Sequence, residues 1–248
     1  MAEPARSDCW FCRYCIDFQP QELQITLLDI HQESLDRLDL IIQALDVSDY
    51  IKTIQCTDIL KWDVPIKEYD IVVSETMMAM LMNEPQVSIF RHLIPALKDT
   101  GCLVPQQVVL DTWLIPNSKD AQPHHIGNVF TLSRDTAKAL SQQEVPHIKS
   151  SFTIPFYEGH SADLRHTTHI QAYGEHWLTD NQCSLNLPLT MANADPEPNA
   201  TLTATYHFTD FPCFSFDYPK HKNHIKENSL LPDHLDTNAL ALPYLKRL

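Results

Sequence analysis

The feature that most restricts what this chain can fold into is its shortage of glycine. Of 248 residues only 4 are glycine, and the earliest is Gly101. Glycine lets a backbone turn through positive φ, or approach a ligand with no Cβ in the way. The first hundred residues therefore lack the glycine-rich turn with which a dinucleotide-type α/β fold cradles its cofactor. Residues 1–21 also show no hydrophobic period. A polar start gives way to Cys9-Trp10-Phe11-Cys12-Arg13-Tyr14-Cys15, which is aromatic but carries no turn chemistry. An α/β unit in this chain is expected to be N-terminally incomplete, with residues 1–21 irregular.

From residue 22 onward the pattern changes. Ile71-Val72-Val73 is a short β-branched run bounded by polar residues, the signature of a buried parallel strand. It delivers Ser74 and Glu75 at its carboxyl end, where ligands sit in open α/β sheets. Glu84 follows nine positions later, across a Met-rich loop. Two converging carboxylates can grip a cation such as guanidinium through paired, charge-assisted hydrogen bonds. Gln24 to Ile30 reads as a strand carrying Asp29 near its end, and Lys52 to Cys56 as another, with Asp58 just past it. Between them Leu35, Leu38, Ile41, Ile42 and Leu45 recur at spacings of three and four, one face of an amphipathic helix. A second helix is expected over Pro85 to Leu97, broken by Pro95, then a turn over Lys98 to Gly101 and a strand from Cys102 to Pro105.

The second half is divided differently. Val108 to Ile115, Phe152 to Phe156, Thr168 to Ala172, Thr201 to Phe208 and Cys213 to Phe216 are short strand-like stretches separated by Pro, Asn and Asp. Regular short strands with turn signals suggest an antiparallel barrel or sandwich. Thr136 to Gln143 reads as a short helix, and Ala192 to Ala200 as an exposed hairpin loop. The domain layout expected is an α/β unit over 22–107, a β-rich unit over 108–220 and a C-terminal tail over 221–248.

Charge and cysteine usage narrow the class. Lys plus Arg is 18 and Asp plus Glu is 32, a formal charge of −14. That balance argues against nucleic acid as a partner and suits a cationic substrate, although it also simply keeps a surface solvated. No apolar run approaches a membrane span, and the first residues lack the order of a signal peptide, so a cytoplasmic protein without a membrane partner is expected. Seven cysteines is an odd number, and Cys56, Cys102, Cys183 and Cys213 stand apart from one another like buried free thiols. Cys9, Cys12 and Cys15 have metal-like spacing but no nearby fourth cysteine, so no metal site is assigned to them.

The pieces in order resemble the protein arginine methyltransferases. Ser74-Glu75 and Glu84 are similar to that family's double-glutamate loop. Leu27-Leu28-Asp29 is similar to its second sheet strand, and Glu175-His176-Trp177 to its Thr-His-Trp loop. The resemblance covers residues 22 to 215. It implies an α/β Rossmann-like methyltransferase core, N-terminally incomplete, followed by the antiparallel β-barrel or sandwich domain. It implies S-adenosyl-L-methionine as cofactor, with Asp29 on the ribose, Asp58 near the adenine amino group and Ser74 beside the donor. Glu75, Glu84 and His176 are then the catalytic set. The glutamates orient a guanidinium or amine acceptor, whose nitrogen lone pair attacks the sulfonium methyl in line. Family members are often homodimers, though no dimerisation arm is visible here.

The chain departs from the family at three places. The glycine turn is missing, Glu175 stands where the family has threonine, and Met78 stands where its loop has glycine. Each functional residue has an ordinary alternative. Asp29 is a good helix N-cap and Asp58 a good surface turn acid. Glu75 and Glu84 can satisfy backbone donors and a helix dipole, and His176 can be a surface histidine. A catalytically silent relative acting as a binding module is the competing reading of the whole chain.

Overall fold

The computed structural model describes residues 18–118, 120–158 and 161–221. The Cys9, Cys12 and Cys15 cluster and nearly all of the C-terminal tail lie outside those residues. The first half begins with β1 (Ile25–Asp29), helix α1 (Gln32–Ala44) and β2 (Ile51–Cys56), and β1 and β2 form a parallel pair. Strand β3 (Tyr69–Val73) leads through the glutamate loop into helix α2 (Gln86–Leu93) and then β4 (Leu97–Val104), which pairs in parallel with β3.

The expected α/β Rossmann-like core is not formed. Its strands stand as two separate two-stranded parallel ladders, β1–β2 and β3–β4, rather than one doubly wound sheet. Among the described residues only three α-helices accompany twelve strands. A doubly wound core needs strands paired through its middle and covered on both faces. Here β1 and β3 share no ladder; their link is a bond from the Tyr69 hydroxyl to Thr26 Oγ1 at 3.1 Å. Ile71 and Val73 remain 56% and 60% exposed.

The rest of the chain is antiparallel. Strands β5 (Gln107–Pro116), β6 (His124–Ser133), β8 (Ala162–Tyr173), β9 (His176–Leu178) and β10 (Leu189–Met191) make a five-stranded sheet, with β8 at its hub. Strands β7 (Lys149–Thr153), β11 (Thr201–His207) and β12 (Cys213–Asp217) make a three-stranded one, and helix α3 (Arg134–Ser141) follows β6. Alternation explains the pairing: β5 buries every second residue, and Leu110 and Leu114 are fully inaccessible. The two sheets face each other across Leu114, Leu164 and Leu202, and His166 of β8 stacks on Phe216 of β12 at 4.0 Å. A larger cluster joins the glutamate loop (Met77, Met80, Leu81), α2 (Val87, Phe90), β4 (Leu103) and β11 (Tyr206) into one core.

Several local expectations are also revised. Lys98 to Gly101 is no turn: it lies inside β4, where register jumps from Tyr69↔Leu97 to Ile71↔Cys102. Arg134 holds the jump by donating to the carbonyls of Gly101 and Lys98 at 2.8 and 2.9 Å. The Ala192 to Ala200 stretch is not an exposed hairpin, because it joins β10 of one sheet to β11 of the other. Within it Ala194 and Asp195 are buried, and Asp195 exchanges two bonds with Ala162 at 2.9 Å. Of the four described free cysteines none is fully buried, and Cys56 is exposed.

Candidate functional site

The acidic pair is assembled by the loop between β3 and α2. Ser74 N–H donates to Val104 O at 3.0 Å, so the ladder with β4 continues to the residue before Glu75. The chain then passes through Met77, Ala79, Met80 and Leu81, all buried, before Glu84. Three non-glycine residues here take positive φ: Met80 (59°), Leu81 (53°) and Asn83 (63°). Left-handed backbone costs roughly 1–2 kcal/mol per such residue. Burying a Met or Leu side chain returns about 1.5–3 kcal/mol, so packing offsets the strain. Met78, which stands where the family has glycine, has φ −108° and needs none.

The second half of the chain fastens this loop. Met80 N–H donates to Thr168 Oγ1 on β8 at 2.9 Å, a bond buried on both sides. The Tyr206 hydroxyl on β11 donates to Leu81 O at 3.2 Å, and Asn83 N–H donates to Pro212 O at 2.7 Å. Burial pushes the Tyr206 phenol far above its ordinary range, keeping it a donor.

Glu75 and Glu84 thus stand close enough to sense one another. The Glu75 carboxyl is held above its ordinary range, first by partial desolvation and second by the charge of Glu84. Neither glutamate caps α2, which has no side-chain cap; its N-cap is Pro85. Both glutamates are exposed, Glu75 just past the end of β3 and Glu84 just before α2, and a cation bound between them would relieve their repulsion.

The residues expected at the donor end are placed less favourably. Asp29 ends β1, and its Oδ1 accepts from His31 N–H at 2.7 Å and faces His31 Nδ1 at 3.1 Å. It does not cap α1, whose N-cap is His31. Its Oδ2 has no partner among the described residues, so this acid fits a ribose hydroxyl. Asp58 is committed locally: Oδ1 accepts from Leu60 N–H at 3.0 Å, capping a short 3-10 turn, and Oδ2 pairs with Lys61 at 2.9 Å. Those two bonds hold its carboxyl below the usual range, that to Lys61 most strongly. The Ser74 hydroxyl is likewise occupied, donating to Gln86 Oε1 at 3.3 Å. Of the three, only Asp29 fits a cofactor role as it stands.

His176 opens β9 opposite Tyr173, exposed and without a side-chain hydrogen bond among the described residues. Tyr173 lies five positions along β8 from Thr168, about 16 Å of strand. On β8 an acid holds His169, with Nε2 3.1 Å from Asp180 Oδ1, while Arg165 lies 3.8 Å from Oδ2.

Sequence reasoning missed Gln86, Thr168 and Tyr206. Gln86 had a signal: it sits at the head of the stripe formed by Ile89, Phe90 and Leu93, where the helical period calls for an apolar residue. Thr168 and Tyr206 lie 88 and 125 residues from their partners, and nothing local marks them.

No family model matches this chain, and no curated protein matches it either. Among the described residues no helix is long and apolar enough to cross a membrane.

Proposed function

We propose that this chain holds a guanidinium or amine group between Glu75 and Glu84 as the acceptor of an S-adenosylmethionine-dependent methyl transfer, the chemistry of the family its motifs resemble. The observation that carries the reading is the acidic pair itself. Glu75 and Glu84 flank a strained loop that β8, β11 and the Pro212 carbonyl of the β-rich half fasten down, and the charge of Glu84 reaches Glu75. Strain of this kind persists only where the surroundings over-determine it, and it clusters at functional sites. The glutamates grip the cation by charge-assisted hydrogen bonds and draw positive charge away from the nitrogen that reacts. The donor supplies an electrophilic methyl group when bound; from this chain Asp29 is the residue that suits its ribose.

The net charge of −14 favours a cationic acceptor over nucleic acid. Four described cysteines are free thiols, in keeping with a reducing, cytoplasmic compartment.

A second reading, cation binding without transfer, is favoured by one specific observation: Asp58 and Ser74 are engaged in local bonds. Calorimetric titration with S-adenosylhomocysteine, against an Asp29→Ala control, separates the two. Micromolar binding that the substitution abolishes supports transfer, and radiolabelled methyl incorporation into an arginine-rich peptide is then expected. No heat up to millimolar ligand removes the transfer reading and leaves the binding module.

A further inference from the structure

Gln86 is a polar side chain with no exposed surface, at the head of a helix whose Val87, Ile89 and Phe90 belong to the main core. Such a group costs stability unless its hydrogen bonds are made. All of those seen go to the two residues flanking Glu75. Its Oε1 accepts from the Thr76 N–H at 2.8 Å, from the Thr76 hydroxyl at 2.7 Å and from the Ser74 hydroxyl at 3.3 Å. Its Nε2 donates to the Ser74 carbonyl at 3.0 Å. The amide orientation is fixed by its partners, since a backbone N–H can only donate and a carbonyl only accept.

These bonds reach both peptide groups of Glu75. The Ser74 carbonyl belongs to the peptide before it, and the Thr76 N–H to the peptide after it. Glu75 is thereby pinned at the one point where β3 has ended and the loop has not yet entered the core. Gln86 also lies two residues after Glu84, at the first position of α2. One side chain therefore ties the backbone of the first glutamate to the helix that the second precedes.

We infer that Gln86 is the positioning residue of the acidic pair, an amide clamp that fixes the Glu75 backbone relative to the helix that Glu84 precedes. This rests on reading the pair as a cation site. The clamp acts through Glu75 and does not touch the bound cation. Glu75 is exposed, so loss of the clamp lets its backbone shift relative to Glu84, and the two carboxylates no longer serve one cation.

The test compares Gln86→Leu and Thr76→Val with wild type, using Gly127→Ala as a control destabilised elsewhere. A Cβ at Gly127, on β6, would meet Phe152 of β7 at 2.5 Å. The first readout is the titration of the Glu75 carboxyl followed by carbon NMR. The second is calorimetric binding of N-acetyl-arginine amide. In Gln86→Leu the Glu75 titration moves back down toward the ordinary range, and affinity falls on the order of tenfold. Thr76→Val, which keeps the N–H bond, moves both in the same direction by less. Gly127→Ala moves neither. A Glu75 titration unchanged in Gln86→Leu overturns the clamp; should that variant not fold, an unchanged titration in Thr76→Val does so. If wild type fails to bind the arginine probe, the cation reading falls, and the Glu75 titration still decides the clamp.

Discussion

The imidazole of His166 makes acid stability a sharp test of the packing between the two antiparallel sheets. It is 3% exposed, both ring nitrogens lack a partner among the described residues, and its ring lies at 19° to that of Phe216. Its strand neighbours are Thr112 on β5 and Leu189 on β10, neither of them charged. Desolvation therefore pushes its pKa from 6.5 down to about 4. Above pH 6.5 the imidazole is neutral in both folded and unfolded chains and adds no pH dependence. Between 6.5 and 4 the unfolded chain binds a proton that the folded one refuses, so stability falls as pH falls. At 1.36 kcal/mol per unit over 2.5 units, the loss is about 3 kcal/mol. Below pH 4 both states are protonated and this contribution levels off. The assay is urea unfolding of wild type and His166→Leu at several values between pH 7 and 4. Carboxylates common to both chains cancel in the difference. The variant should gain about 3 kcal/mol relative to wild type across the window. Parallel curves for the two proteins would refute the reasoning, because the imidazole would then be solvated or partnered.

Other consequences follow from the same contacts. Arginine-amide affinity should weaken as pH falls through the raised Glu75 pKa, since protonation removes one of two charges, and calorimetry at stepped pH reads this. In Glu84→Gln the NMR titration of Glu75 should shift down, because the second cause of its elevation is gone, while the shift from desolvation remains. Thr168→Val should cost about 1–3 kcal/mol in urea unfolding, leaving the buried Met80 N–H without an acceptor. Gly127→Ala should cost roughly 1–3 kcal/mol in the same assay, because the new methyl must displace Phe152.

Local pattern was legible where burial is one-sided and partners are near. The period of Gln32 to Leu45 marked α1, which buries Leu35 and Ile42, and the strand-like run Val108 to Ile115 between turn residues marked β5, although β6 went unmarked. The same period also assigned Ile41 to the buried face, yet it is 54% exposed, because the ladder beneath α1 is only two strands wide. Strand composition could not say which strands pair: the β-branched run of β3 reads as central, but only β4 joins it. Turn chemistry misled at Lys98 to Gly101, where a register jump held by Arg134 absorbs the extra residues. At the site, Glu75 and Asp29 were visible as acids at strand ends and Glu84 as an acid before a helix. What holds them was not, because the strain at Met80 and Leu81 and the bonds from Thr168 and Tyr206 exist only once distant strands close over the loop.

The most direct measurement is calorimetric titration of the purified chain with N-acetyl-arginine amide at pH 7.5, repeated on Glu75→Gln and on the Glu75→Gln/Glu84→Gln double variant. The account predicts saturable binding to wild type, a drop of on the order of tenfold for the single variant and no measurable heat for the double. Equal binding by all three proteins, or none by the wild type while its fold is intact, would contradict the claim that these two carboxylates form a cation site.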